Sequence, residues 1–543
     1  ARGSGATARD RGMIYNGWFD LVRISAFGGS QSVLTTVSGS EWDLWDAERR
    51  QLPRVSFDNR GRVFFLDRIL EEQEDTEFLT SHLVSVDSEG ANRRVHLRFR
   101  DADEAVVSPD GRWVVYQEAD NIYLTNLPDG SIDLPPMVDR RQKEWPVEAL
   151  TTAGGLFPRW VDGQTVEYGL GRMHFLHSTE RGREASVELV VRRERPDPER
   201  RVAIANARII TLGSQGVIEK GSILVQGRRI LCVGECGVQG ADWVIDATGR
   251  TVMPGLIDAH VHNNWLHRGV LPPTNMEAAS YLAMGVTTVM DPSAWSQNVF
   301  PAAELIEAGE MLGPRTLSTG DPLFRGDGDR HNRIETPEDA AIEIDRLVAW
   351  GATAVKQYNQ PRREQRQWIA EAARARSLMR TGEGGDLAFT LSLIMDGQTG
   401  WEHPLPYAPT YSDVARFFGG AGATYSATLG VGGPGPWNEE FFLGNWPPSG
   451  SLRLRGFIPW RQLAPASRRV IDRPDSDYSF PLIAETIKDI LEAGGNSALG
   501  SHGQQHGIAP HWEIWMLAEA LGPVGALEVA TMGGCLLYTS PSP

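Results

Sequence analysis

Val252-Met253-Pro254-Gly255-Leu256-Ile257-Asp258-Ala259-His260-Val261-His262 is the stretch from which the rest of the chain can be read. A short apolar run closes on Asp-x-His-x-His. Side chains at i and i+2 of a strand share a face, so Asp258, His260 and His262 point one way, and the two imidazoles can reach one ion. Asp258 is placed to orient a ligand, to bind substrate or to make a structural hydrogen bond. Neutral imidazole suits zinc and related divalent cations. Surface strands carry His-x-His pairs by chance, and this one gains meaning from the alternation that follows it.

Downstream, strands and helices alternate, which predicts a parallel α/β barrel. Residues 276–284 read as helix, 285–291 as the second strand, 302–308 as helix and 315–320 as the third strand. Residues 337–350 form an amphipathic helix whose acidic first turn complements the helix dipole. The fourth strand, 351–356, ends on Lys356, and a helix over 363–376 follows. Strands five to eight fall at 379–383, 400–403, 423–431 and 496–502, with helices at 510–521 and 524–531. Barrels of this kind keep their active sites at the C-terminal ends of the strands, where His260 and His262 would stand. Trp265, His267, Asp321, Arg325 and the loop around Trp437 and Trp446 are candidate pocket residues. The Pro/Gly-rich segment 432–468 suits a lid.

Upstream, residues 202–212 and 243–251 read as strands and 221–234 as a hairpin with Gly227 near its turn. Residues 192–201 are a charged linker. Before it lie short strands and turns. Val106-Val107-Ser108-Pro109-Asp110-Gly111-Arg112-Trp113-Val114-Val115-Tyr116 is strand, turn, strand, and residues 121–124 add a third strand. Weaker copies occupy 55–66 and 157–168. A repeat of roughly 40–50 residues with four short strands suggests propeller blades, three or four of which fit. Pro and Asp set up each turn, and Gly supplies the positive φ.

A chain of 543 residues is too long for one core. The net charge of -17 argues against nucleic acid or an anionic membrane surface as the main partner. No unbroken apolar run of about 18 residues appears, so no membrane span is expected. Residues 1–20 lack the pattern of a signal peptide, so the protein is cytoplasmic or its start is missing. Cys232, Cys236 and Cys535 suggest no disulfide framework and no zinc cluster, which leaves the compartment open. Arginine outnumbers lysine heavily; the lysines are Lys143, Lys220, Lys356 and Lys488. Arginine and lysine differ in chemistry, so each lysine stands out.

The run Pro254-Gly255-Leu256-Ile257-Asp258-x-His260-x-His262 resembles the start of the amidohydrolase-superfamily barrel, and Ser108-Pro109-Asp110-Gly111 resembles the blades of TolB-type propellers. The branch resembled is imidazolonepropionase-like and propeller-fused. The resemblance implies a multidomain fold: a partial β-propeller (1–190), part of a β-sandwich (201–253) and a (β/α)8 TIM-like barrel (254–534). Residues 535–543 fit nothing in the family, which suggests a truncated terminus, a sandwich lacking strands and an exposed edge. The propeller resemblance suggests a periplasmic or secreted protein.

The same resemblance supplies site roles. His260 and His262 would bind metal. Lys356, in Lys356-Gln357-Tyr358, would be carboxylated by CO2 and bridge two ions, Zn2+ or another divalent metal. Only a neutral amine reacts so, and burial near cations favours the neutral form. His403, in Trp401-Glu402-His403, is the next ligand. The family's fifth-strand histidine is absent, and Glu383 stands in as a carboxylate ligand. The eighth-strand aspartate is absent too; His502, in Gly500-Ser501-His502-Gly503-Gln504, takes its place as ligand and base, with His506 and His511 flanking. Tyr358 is a candidate oxyanion stabiliser. These roles imply metal-dependent hydrolysis of an amide, a cyclic amide or a small peptide, in a chain that could form a homo-oligomer. The rivals are a mononuclear deaminase of the same superfamily and a non-catalytic binding or scaffold protein.

Overall fold

The computed structural model describes residues 2–8, 15–40, 54–73, 76–100, 102–128, 134–140, 142, 144–193, 199–263, 271–323, 334–358, 360–466 and 473–539. Trp265, His267, Arg325 and Lys143 lie outside them. The chain divides into two units, Ala1–Val190 with Trp265–Leu271 and Phe324–Gly351, and Val191–Asn264 with Pro272–Leu323 and Ala352–Pro543.

In the first unit the three repeated segments fold as antiparallel hairpins: Val55–Phe57 on Val63–Gln73, Ala102–Val107 on Trp113–Glu118, and Leu156–Trp160 on Thr165–Leu170. Each belongs to a different sheet, of five, four and four strands, and Arg2–Ala8, Tyr15–Ile24 and Gln31–Ser40 make a further sheet of three. The turns close as their residues dictate. Asp58 Oδ1 accepts the N–H of Arg60 and of Arg62, and Asp162 Oδ1 those of Gln164 and Thr165. Gly61 and Gly111 take φ of 78° and 70°, where a Cβ is disfavoured. Period-two alternation sends Val107, Val114 and Tyr116 into one apolar cluster and Val106 and Val115 into another, so this hairpin is buried on both faces. Helix Pro337–Trp350 also belongs to this unit. Thr336 and Asp339 form a reciprocal capping box at its start, and Gly351 ends it at φ 110°.

The second unit begins with a sheet ordered Arg229–Gly234, Val217–Gln226, Arg201–Ile210, Trp243–Asp246, with Thr251–Val252 also paired to Arg201–Ile210. The hairpin turns at Gly227, as the sequence suggests. One expectation fails here: Cys232 and Cys236 are joined in a disulfide. The chain bends at Gly234 (φ 105°), and Cys236 N–H bonds back to Gly234 O, which brings the two cysteines together across the bend. The outermost strands expose Ile230 (65%) and Leu231 (50%) on one side of the sheet order and Trp243 (54%) and Val244 (47%) on the other. Unpaired strand edges with apolar side chains template association. Ile230→Lys with Leu231→Lys should therefore reduce concentration-dependent self-association in light scattering; an unchanged mass distribution would show that this edge is inert.

Beyond Val252 the described residues include eight parallel strands in sequence order, with helices in the seven connections between them and one after the last. Leu256–Asp258, Val286–Asp291 and Arg315–Ser318 form one sheet. Ala354–Gln357, Met379–Gly382, Gly400–Glu402, Thr424–Ser426 and Asn496–Ser497 form another. Leu323 bridges to Gln357 between the third and fourth strands. Ala259 N–H donates to Leu499 O, and His502 N–H to His260 O, each at 2.7 Å, linking the eighth strand back to the first. Several helices go beyond the sequence reading, Ser412–Ala421 and Phe480–Glu492 among them. Leu387–Met395 is apolar nearly throughout and shows little period, and Ser296–Ala308 runs back through Pro301, which had hidden its first turn. The expected lid segment holds short helices, Glu439–Asn445 and Trp460–Ala466 among them, and Phe442 stacks on Trp512 at 5.4 Å.

The expectation of no membrane-spanning run meets one exception. Ala509–Leu537 is long and apolar enough to cross a membrane by length and composition. Here its Trp512, Met516, Leu517 and Ala530 are buried in the core cluster, and Gly522 (φ 68°, ψ 169°) beside Pro523 breaks it. Those features describe a broken helix with one face in the core of the second unit.

Candidate metal centre

The C-terminal ends of strands one, four, five, six and eight bring six of the expected residues together. His260, His403 and His502 offer ring nitrogens within 4.8 Å of one another. His262 joins them: its ring centroid is 4.7 Å from that of His502, and its Nε2 is 3.2 Å from His260 Nε2. Glu383 Oε2 lies 3.0 Å from His403 Nε2 and 3.1 Å from Lys356 Nζ. Tyr358 stands further back, its ring 5.2 Å from Lys356 Nζ and its hydroxyl hydrogen-bonded to Ser293. His511 is directed elsewhere, with Nε2 2.8 Å from Met284 O, and His506 Nε2 is 3.1 Å from His262 O. Asp321 holds the Ser296 hydroxyl at 2.7 Å.

Backbone conformation explains how consecutive residues serve one centre. Neighbours on a strand face opposite ways. His403 and His502 both take a left-handed φ, 70° and 62°, which turns them back toward the side used by the residues before them. Such a φ is uncommon outside glycine, and strain of this kind gathers at functional sites. Around His502 the packing is close. A Cβ on Gly500 would meet His260 Cβ at 2.8 Å, and one on Gly503 would meet His262 N at 2.8 Å.

Two carboxylates that the sequence reading did not assign hold the first-strand histidines. Glu402 Oε2 is 2.7 Å from His260 Nδ1, both side chains being 1% exposed. Asp291 Oδ1 is 3.4 Å from His262 Nδ1. The sequence signal was present in each case, an acid at the very end of a strand. Asp258 is committed elsewhere: Oδ1 accepts the N–H of Ser501 and of His260, and Oδ2 accepts the Ser501 hydroxyl. Of its expected roles the structural hydrogen bond is realised. Burial pushes its pKa up to about 7 against those donors.

These contacts test whether a cation fits. An ionised carboxylate only accepts, so Glu402 draws the His260 hydrogen to Nδ1 and leaves the Nε2 lone pair facing His262; Asp291, 3.4 Å from His262 Nδ1, favours the same tautomer there, which would set two lone pairs face to face. Two lone pairs at 3.2 Å repel unless a cation lies between them. Two imidazoles on one tetrahedral zinc, with Zn–N near 2.05 Å, have nitrogens about 3.3 Å apart. His502 matches: Gln504 Oε1 is 2.9 Å from its Nδ1, which leaves Nε2 toward the centre. The donor set fits a divalent ion. His403 departs, since its Nε2 faces Glu383 and its Nδ1 faces the Thr428 hydroxyl at 2.8 Å, so ligation by Nε2 requires loss of that proton.

Lys356 corrects an expectation. It is fully buried, and burial alone would lower its pKa, but the Glu383 carboxylate, with Tyr358 and Glu402, raises it above the ordinary lysine value. The sequence reading counted on nearby cations to lower it; among the chain's own groups the neighbours are carboxylates, which favour the ammonium form. Burial would raise Glu383, but Lys356 and His403 hold it below the carboxylate range.

Burial, with neighbouring His262 and His403, pushes His502 down to about 2. The unfolded chain takes this proton near pH 6.5 while the folded chain refuses it, so this residue's contribution to stability falls as pH drops from about 6.5 toward 2. His502→Asn, which tolerates the left-handed φ, removes that term. Measured by urea titration without metal, the variant should gain on the wild type by about 1.4 kcal/mol per pH unit between roughly pH 6 and 4. Parallel pH profiles would contradict this.

Comparison with known proteins finds relatives over short stretches of the chain. No family model matches. The chain is 36% identical over 124 residues to dihydroorotase of Wolbachia sp. subsp. Drosophila simulans, covering 22% of this chain and 26% of that protein. It is 45% identical over 78 residues to imidazolonepropionase of Rhizobium meliloti (13% and 19%), and 39% identical over 62 residues to 5'-deoxyadenosine deaminase of Methanosarcina mazei (11% and 14%). The chain thus spans about a quarter of the first relative's length and less of the other two. A Xaa-Pro dipeptidase crystal structure superposes at TM-score 0.47 with 17% identity over 62% of this chain and 88% of that one, and A. niger ochratoxinase at 0.47 with 17% identity over 64% and 86%. The similarity is to amidohydrolase-type enzymes acting on C–N bonds.

Proposed function

We propose that the chain is a metal-dependent amidohydrolase that cleaves a C–N bond in an amide, cyclic amide or small peptide. The observation that carries this reading is the cluster of ring nitrogens, His260, His403 and His502 within 4.8 Å of one another and His262 Nε2 3.2 Å from His260 Nε2, with the buried Glu402 on His260 Nδ1. In this reading the eight parallel strands are a (β/α)8 barrel (254–534), the preceding sheet (201–253) is part of a β-sandwich and the N-terminal sheets (1–190) are TolB-type propeller blades. Residues 535–543 are an atypical tail.

His260, His262 and His502 would hold zinc or another divalent ion, with His403 and Glu383 completing the shell. Such an ion supplies Lewis-acid polarisation of the scissile carbonyl and acidifies water. The chain's own groups move the proton. His502, its Nδ1–H held by Gln504, has a single lone pair, on Nε2: as a ligand it takes no proton, and as the base it would leave ligation to the other histidines, take a proton from the attacking water at Nε2 and return it to the leaving nitrogen. When His502 ligates, Glu383 is the shuttle, and Tyr358 is the candidate oxyanion stabiliser once its hydroxyl leaves Ser293. The fuller form of this reading places two ions across a carboxylated Lys356, which requires Lys356 Nζ to leave Glu383.

A second reading, a one-ion deaminase, is favoured by that same Lys356–Glu383 pair, since a lysine held as ammonium bridges nothing. The test is zinc stoichiometry on the full chain together with ammonia release and amide or dipeptide hydrolysis, with and without chelator. Chelator-sensitive hydrolysis supports the proposal. Ammonia release with one ion supports the deaminase, and no activity with either class supports a binding or scaffold role. The substrate is a small molecule or peptide, and a homo-oligomer is compatible with the exposed sheet edge. A periplasmic or secreted location is proposed from the propeller reading, supported by the Cys232–Cys236 disulfide, which persists in oxidising compartments.

A further inference from the structure

Strand six contributes more than the ligand it was expected to carry. Glu402 is 1% exposed, and both of its oxygens are engaged. Oε1 accepts the Thr381 hydroxyl of strand five at 2.6 Å, and Oε2 faces His260 Nδ1 of strand one at 2.7 Å. A side chain bonded at both ends has one orientation. A carboxylate accepts and does not donate, so the hydrogen on His260 lies on Nδ1, and the lone pair on Nε2 faces His262 Nε2 at 3.2 Å, beside the His502 ring. The next residue, His403, would face away on a regular strand; its φ of 70° returns it to the same side.

We infer that Glu402 is a positioning residue, anchored by Thr381, that fixes His260 in the Nδ1–H tautomer and so sets the affinity of the centre for a divalent cation. Glu402 touches neither substrate nor reacting atoms; it acts through His260. Partners of this kind change metal affinity by about 10–100-fold when removed. The inference rests on the metal-centre reading, but its first readout needs neither metal nor turnover.

In the metal-free full-length protein labelled with 15N-histidine, long-range 1H–15N spectra should show His260 protonated at Nδ1 and bare at Nε2. Protonation at Nε2 overturns the inference even if the enzyme proves to be a hydrolase. The second readout is zinc affinity by competition with a chromophoric chelator. Glu402→Leu should bind zinc about 10–100-fold more weakly than wild type. Glu402→Gln should retain most of the affinity, because its amide oxygen accepts the same Nδ1–H while its NH2 donates to Thr381. Thr381→Val, which frees Oε1 and leaves the acid, should fall between. Wild-type affinity in Glu402→Leu, or a loss in Glu402→Gln equal to that in Glu402→Leu, refutes the role. If Glu402→Leu fails to fold, the tautomer in the wild type and the affinity of Thr381→Val still decide. A wild type that binds no zinc sinks the hydrolase reading and leaves the tautomer result standing.

Discussion

His260→Ala is expected to lower zinc affinity by more than about 100-fold, beyond what loss of an orienting partner costs. Four features converge on this side chain. It is 1% exposed, Glu402 holds its Nδ1, its Nε2 meets that of His262, and its ring centroid is 4.9 Å from that of His403 and 5.0 Å from that of His502. Every other donor has been placed relative to it. Alanine would also leave Glu402 with an unfilled acceptor in the interior. The consequence shows in stability as well as in binding. A cation that binds only the folded chain raises its stability by about 2.7 kcal/mol when present at a hundred times its Kd, so zinc should raise the melting temperature of the wild type and leave that of His260→Ala unmoved. His511→Ala is the control, since His511 bonds Met284 O and takes no part in the centre. A wild-type zinc response in His260→Ala would end the metal-centre reading.

Lys356→Met should destabilise the metal-free fold by about 3 kcal/mol, the lower end of the range for breaking a buried ion pair from one side. Lys356 is fully buried and Glu383 is 25% exposed, so removing the ammonium strands a largely desolvated carboxylate. His403, 3.0 Å from the same oxygen, offsets part of the loss. The double variant Lys356→Met with Glu383→Gln removes both charges and should recover most of the stability, because replacing a buried pair outright is often neutral. The pH window follows from the signs. Glu383 is depressed when folded, so its share is full above about pH 4.3 and fades on acidification below that; Lys356 is raised, so its share is full below about pH 10.4 and fades above. Urea titrations with chelator across that plateau check both statements. Equal stability of Lys356→Met and wild type at pH 7 would show that the pair is worth nothing.

The sequence carried the strand order and half of the site, because those depend on local pattern. His260 and His262 share a face by the period of a strand, Lys356 closes an apolar strand, and the Asp-Gly turns of the first unit are written in residues two to four apart. What failed depended on distance. Glu402 lies 142 residues from His260, and Asp291 lies 28 from the N–H of Asn263 that it accepts. No periodicity reports such approaches. The sign of the Lys356 shift was misjudged for the same reason: it depends on which charges arrive from other strands. The disulfide was a local miss, since closing a four-residue separation needed the bend at Gly234 rather than any spacing rule. The helix Leu387–Met395 was missed because it lacks the polar face that gives a helix its period.

The left-handed histidines have an implication for how readily this site could be altered by mutation. At positions 403 and 502 the backbone discriminates before chemistry does: glycine, asparagine and aspartate can occupy such a φ, whereas valine, isoleucine and threonine pay for it in strain. Most single substitutions there would disturb the main chain as well as the ligand. An engineer who wished to exchange metal specificity would therefore start at Glu383, His262 or Lys356, whose φ is ordinary, and leave the two twisted corners alone.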